Sequence, residues 1–438
     1  MVTRKSLAAI AALTLATVIP AAAQSKPGSQ VQAFTVDGIS VIMSPADNPL
    51  VSVIIGLEGG LASGETDNPA LAAFTSDLIT SSGSAKYPKE TYRRILSETS
   101  TTINGGGDYR GTNMTMTSTL RSFDKAWDVL ASLVLSPEYD ANEYRNIAQR
   151  RVAEVQHRWN NPEGYAFIIA DSLTKLGNTI LGRSTRESDV EAVTIPMMQQ
   201  YQKAITERSR MIVVVVGNVA PEDIKRKLQA FSKLPQGKYK PVIVPAVQMT
   251  SVPKVEIVDR KIPTTYVSGV FAGPRANDPD YWPLQIGLSH LGNTMFEEIR
   301  TKRNLSYAPQ AYLTSTLGAT RGVVAVNSVS PDSASVIMLA ELEKMRRGDF
   351  SEKDLEKSKQ VFITRYYMGQ MTNSGLANSL YGTQRNAGDW RRTYSIDAIN
   401  AVNKASVQRA LAKYARNLQI GIVGQKGKIS DQKYLFHE

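Results

Sequence analysis

Apolar residues concentrate in four short runs, and the runs form two matched pairs. Residues 51–56 (VSVIIG) and 265–271 (TYVSGVF) each read as a buried strand, followed by a glycine-containing turn and a helix that starts near Pro69 in one case and near Tyr281 in the other. Residues 211–217 (MIVVVVG) and 418–424 (LQIGIVG) form the second pair, and the first of these leads into a helix from Pro221. The step from Val53 to Val267 nearly equals the step from Gly217 to Gly424. Two such similar offsets predict a unit of about 200 residues used twice.

Between these runs the period changes. Residues 112–120 alternate polar and apolar side chains like a half-buried strand, and residues 141–159 carry the spacing of a long amphipathic helix. Strands mixed with long helices in each copy predict an α+β fold, with helices layered on a mainly antiparallel sheet. The proline-rich stretch 234–245 reads as a linker, so the expected division is 24–236 for the first half, 237–254 for the connection and 255–438 for the second half.

One phrase carries candidate chemistry. Thr294 and Glu297 have capping-box spacing, so a helix is expected to start there and turn Phe296 and Ile299 toward a core. Asn304, which tolerates the left-handed conformation, would end that helix, and residues 305–313 would follow as a strand. Arg300 and Tyr307 then flank a tight turn that aims both at one place. A guanidinium fork beside a phenol suits a peptide carbonyl or its oxyanion. The alternative is a solvated arginine next to a half-buried sheet tyrosine.

The pattern Arg-x-x-x-x-Leu-x-Tyr after an amphipathic helix, from Arg300 to Tyr307, resembles the arginine/tyrosine pair in the C-terminal half of the M16 (pitrilysin-type) zinc peptidases. The resemblance covers nearly the whole chain and implies two homologous α+β halves, as in the mitochondrial processing peptidases, around a peptide-binding chamber. It also implies a zinc motif, H-x-x-E-H, on a helix of the first half, with a further Glu well downstream as the third ligand. Two His one helical turn apart bind Zn²⁺ while the Glu between them polarises water.

The helix for that motif is predicted, with Asn68 as its cap and Pro69 at its first position. Its chemistry is gone, because the five positions read Ala73, Phe74, Thr75, Ser76 and Asp77. Ala73 cannot ligate and Ser76 cannot act as a carboxylate base. Glu154 follows Asp77 at the spacing that the family has between its second His and its third ligand, and is expected to be a relic. Asp77 with Glu154, or Glu154 with His157 one turn on, offers too few ligands for zinc. His290 and His437 have no ligand spacing either, and His290 reads as a core or interface residue. No cysteine and no Gly-x-Ser-x-Gly elbow supplies a replacement nucleophile. Gly105-Gly106-Gly107 lacks the lysine and helix of a phosphate loop and reads as a turn, near which the resembled fold takes up extended peptides by strand addition.

Composition narrows the setting. Residues 1–23 have the form of a secretory signal, with Arg4 and Lys5 before an apolar run and Ala21-Ala22-Ala23 at its end, so the expected location is the periplasm, without a membrane anchor. The formal charge of +11 becomes 11 − 2 = +9 without Arg4 and Lys5. Basic residues alternate with acids along helices, as in 341–347 and 351–357, so they read as solvated faces and not as a nucleic-acid site.

The resemblance therefore implies the zinc-free subunit of a heterodimeric M16B peptidase. This chain would hold no cofactor, a homologous partner would bring the zinc, and Arg300 and Tyr307 would help to bind peptide substrates. The alternative is a catalytically inactive M16-like scaffold or peptide-binding protein of the cell envelope.

Overall fold

The most apolar runs become central strands. The computed structural model describes residues 30–174, 179, 181–242, 246–248 and 251–434. The signal segment 1–23, part of the linker and His437 lie outside the described residues.

The first sheet contains β1 (Gln32–Val36), β2 (Ile39–Ser44), β3 (Leu50–Glu58), β4 (Thr102–Asp108), β5 (Gly111–Thr119) and β6 (Met211–Val216), in the order β1-β2-β6-β3-β5-β4. The second contains β7 (Lys254–Asp259), β8 (Thr265–Arg275), β9 (Gln310–Thr316), β10 (Ala319–Ser328) and β11 (Gln419–Gly424), in the order β7-β11-β8-β10-β9. Leaving out β1, the two orders are the same. In each sheet one pair is parallel, β2 with β6 and β7 with β11, and the other pairs are antiparallel.

The repeat extends to register. Val53 pairs with Val215 in the first sheet and Val267 pairs with Ile422 in the second. The step from Val53 to Val267 and the step from Val215 to Ile422 are the two offsets read from the apolar runs. The α+β plan of two homologous halves is therefore present.

Six helices matter for the site: α1 (Leu71–Ser82), α2 (Ala141–Asn160), α3 (Pro162–Ser172), α4 (Tyr281–Met295), α5 (Glu352–Met368) and α6 (Asn373–Ala387). α1 covers the first sheet and α2 packs over α1, with Phe74, Leu78 and Ile147 joining Val53, Ile55 and Met116 in a common core. α4 does the same in the second half through Leu284, Leu288 and Leu291.

The outer faces are closed reciprocally. α3, a first-half helix, lays Ala166, Ile169 and Ala170 against Val423, Val270 and Val323 of the second sheet. α6, from the second half, lays Ala377, Leu380 and Tyr381 against Ile54, Val214 and Val216 of the first. Their caps, Asn161 and Thr372, are separated by an offset that falls between the two strand offsets, so the exchanged helices are themselves a repeat pair. Gly56 is required where α6 crosses β3, because a Cβ there would sit 2.1 Å from the Tyr381 hydroxyl oxygen.

Three local expectations are corrected. α4 does not begin at Thr294 but runs through it, and the Thr294 hydroxyl donates to the His290 carbonyl at 3.2 Å, as a mid-helix threonine does. The strand expected over 305–313 starts later, at Gln310. Gly105–Gly107 is no turn, since all three residues lie inside β4, the edge strand of the first sheet.

Candidate functional site

The helix that carries Ala73 to Asp77 has its polar side chains committed to packing and ion pairing. Asn68 accepts from the Ala70 amide at 2.8 Å and steadies the entry to α1, which begins two residues after Pro69. Ser76 is fully buried, donates to the Asn113 carbonyl at 2.7 Å and accepts from the Gly106 amide at 3.1 Å. It clamps α1 onto the β4–β5 ribbon. The glycines of β4 permit that contact, because a Cβ on Gly107 would approach the Ala73 nitrogen to 2.6 Å.

Asp77 is held by two arginines. Its Oδ2 accepts from Arg151 Nη2 at 2.7 Å and from Arg150 Nη2 at 3.0 Å, both on α2. Glu154 is more than half exposed and lies 3.6 Å from Arg150 Nε. Arg151 also covers the Phe74 ring, with its guanidinium carbon 5.8 Å from the centroid. A divalent cation between Asp77 and Glu154 would meet two fixed positive charges and an alanine methyl, so zinc does not fit these residues. Among the described residues no three His, Cys, Asp or Glu side chains come together as metal ligands.

Above this face lies a cavity of about 450 Å³, lined by Ala73, Asp108, Arg151 and Glu154 from one half and by Ser315–Leu317 and Asn386 from the other. Its edge is tied by ionic contacts that cross the seam. Arg385 Nε lies 2.5 Å from Glu58 Oε1, and Arg385 Nη1 lies 2.7 Å from Asp108 Oδ2. Arg110 donates to the carbonyls of Leu317, at 2.7 Å, and of Arg385. A second buried pair, Arg321 with Asp171 at 3.0 Å, links β10 to α3.

The other candidate pair is assembled. α4 continues into a π-helical turn, Phe296–Thr301, that carries Arg300. Asn304 takes a left-handed φ of 50°, and the Leu305 amide closes back to the Ile299 carbonyl at 2.9 Å. Ser306, hydrogen-bonded to Asn327 of β10 at 2.8 Å, fixes the chain just before Tyr307. The Arg300 guanidinium lies 3.9 Å from the Tyr307 ring centroid and donates through Nη1 to the Tyr307 carbonyl. Among the described residues Nη2 and Nε have no protein acceptor. Tyr307 is 75% exposed.

Phe296 departs from expectation. It is 46% exposed rather than turned to the core, and its ring lies 5.1 Å from Arg300, so the guanidinium stacks on two aromatic rings. Ile299, by contrast, is fully buried as expected. Sequence reasoning assigned Phe296 to the core and passed over the Arg150/Arg151 pair. The i to i+4 spacing of Arg150 and Glu154 was the available hint. His290 is a buried residue with Nδ1 2.9 Å from Ser358 Oγ, and burial pushes its pKa below the usual imidazole range.

Residues 192–362, which include Arg300 and Tyr307, match the family described as the peptidase M16 inactive domain. Over these residues the chain is an M16-type domain. Over a longer stretch it is 22% identical across 275 residues to a probable inactive metalloprotease of Bacillus subtilis, an alignment covering 59% of this chain and 63%, under two thirds, of that relative. The M16 fold extends further than the sequence match. A peptidase M16 inactive domain from Pseudomonas fluorescens superposes with a TM-score of 0.78 at 16% identity, covering 90% of this chain and 98% of that one. The periplasmic protease PqqL of Escherichia coli superposes with a TM-score of 0.76 at 15% identity, covering 96% of this chain and 49% of its own length. No helix among the described residues is long and apolar enough to cross a membrane.

Proposed function

We propose that this chain is the zinc-free subunit of a heterodimeric M16B peptidase of the periplasm. In this reading residues 1–23 are an export signal, and 24–236 and 255–438 are the two halves joined by 237–254. A homologous partner brings the zinc, its ligands and the general base. Arg300 and Tyr307 of this chain hold the substrate carbonyl and stabilise the charge that develops on it. The observation that carries the reading is the exposed Arg300–Tyr307 pair, whose guanidinium keeps Nη2 and Nε free of protein acceptors. An oxyanion donor needs that kind of availability.

The replacement of the metal site by the Asp77–Arg151 ion pair supports a second reading, an inactive M16-like scaffold or peptide-binding protein. One experiment separates the two. Peptide hydrolysis is measured for this chain, for a zinc-bearing M16 partner and for their mixture, with Arg300→Ala and Tyr307→Phe versions included. The peptidase reading expects activity in the mixture and a loss of about 10²- to 10³-fold in kcat for Arg300→Ala, with the complex still formed. Equal activity of wild type and both variants would remove the pair from the site and leave the scaffold reading.

A further inference from the structure

A second cavity lies within the second half, about 420 Å³ in volume and sharing Ser315 and Asn386 with the cavity above α1. Its wall is built from α5, α6 and the start of α4. Two arginines, Arg365 and Arg392, face it, and no carboxylate does. Neighbouring arginines are matched to acids instead, Arg385 with Glu58 and Asp108, and Arg391 with Asp389. Among the described residues neither the Arg365 nor the Arg392 guanidinium has an ion-pair or hydrogen-bond partner. Two like charges brought to one concave surface repel each other until an anion joins them.

The rest of the cavity specifies what kind of anion. Its floor is aromatic, with the Trp282 ring 5.1 Å from Tyr281 and 6.0 Å from Tyr366 in edge contacts. A small inorganic ion needs no such floor, whereas the body of a peptide does. Beyond Gly369 and Gln370 of the wall, the rim carries Met368 and Met371, 62% and 77% exposed. Unbranched thioether side chains adapt to varied apolar partners, which suits a surface that accepts many sequences. The volume falls within the range of small-ligand pockets, enough for one end of an extended chain and too little for a folded partner.

We propose that this cavity anchors a peptide by a carboxylate, with Arg365 and Arg392 as the clamp and the Tyr281–Trp282–Tyr366 surface under the adjoining residues. The carboxylate is the C-terminus of the chain or an acidic side chain near it. The proposal deepens the peptide-handling role given above and rests on it. Ser315 and Asn386, which this cavity shares with the cavity above α1, place the held end next to that cavity.

The test uses the purified full chain and N-terminally labelled unstructured decapeptides, read by fluorescence anisotropy at low salt. One peptide has no acidic residue and a free C-terminus, a second is its amide, and a third is the amide with one glutamate near the end. The free acid is expected to bind at least about tenfold tighter than the amide, the scale of one charge-assisted hydrogen bond. Arg365→Gln/Arg392→Gln should bind all three alike, with its circular dichroism unchanged. If the glutamate peptide regains the lost affinity, the clamp accepts side-chain carboxylates too. If it does not, the clamp reads the chain end. Equal binding of all three to wild type, or a preference that survives the double substitution, overturns the proposal. Because binding is measured on this chain alone, the result stands apart from hydrolysis by the mixture. A carboxylate preference without hydrolysis removes the peptidase reading and keeps the anchor, and the reverse outcome removes the anchor.

Discussion

Arg385 and Glu58 meet 2.5 Å apart across the seam, and each side chain is only 7% exposed. Burial raises the Glu58 pKa and the arginine opposes the rise, so the carboxylate depends on its partner. Arg385→Met removes that partner and leaves a buried acid facing Tyr381. The expected cost is about 3–5 kcal/mol in chemical denaturation. Glu58→Leu added to Arg385→Met should recover a large part of it. Equal stability of the single and double variants would mean the buried charge is not the cause.

The lost zinc motif should not be restored by its ligands alone. Ala73→His/Ser76→Glu/Asp77→His rebuilds the family pattern, yet Arg150 and Arg151 stay on α2 and Ser76 has no room for a longer side chain. Competition with a chromophoric chelator should find no zinc bound at micromolar concentration, and the variant should be destabilised by more than about 2 kcal/mol from the buried change. Stoichiometric zinc in this triple variant would disprove the account of Asp77.

Asn304 gives a conformational test. Its φ of 50° is tolerated by asparagine and free of cost for glycine. Asn304→Gly should change stability little, while Asn304→Ala should lose roughly 1–2 kcal/mol. A thermal melt in which both variants behave alike would show that the turn before Tyr307 relaxes.

His290 predicts a pH dependence. Burial lowers its folded pKa below the ordinary value of 6.5, so the unfolded chain binds a proton that the folded chain refuses. The stability from the neutral imidazole is therefore present above pH about 6.5 and is lost as pH falls toward the folded value. His290→Gln should flatten this part of a stability–pH curve between pH 7 and 5. An unchanged slope in the variant would assign the effect to carboxylates.

The sequence was most informative where its pattern was both long and repeated. The apolar runs around Val53, Val215, Val267 and Ile422 are central strands because they are apolar on both faces, and their offsets carry the register. Arg300 and Tyr307 were predicted to converge, and they do, because Asn304 marks the reversal between them. The misreadings came from local signals whose meaning depends on tertiary neighbours. Thr294 and Glu297 have cap spacing, but nothing in 281–295 breaks the helix before them. The triple glycine suggested a reversal, whereas its smallness serves the close approach of β4 to α1. Arg150 and Arg151 carried no signal of their own, since only the fold brings Asp77 under them.

The traded helices have a consequence for cleavage of the chain. Each half lends the other the element that covers its outer sheet, as two identical protomers would across a two-fold axis. A lone half would leave that sheet bare and pair with a second copy of itself. Nicking the chain between 237 and 254 should therefore leave two fragments that co-elute on size exclusion, and their separation would show that the exchanged helices do not hold the halves together. Neither half can be shortened alone, because each carries the cover of the other's sheet.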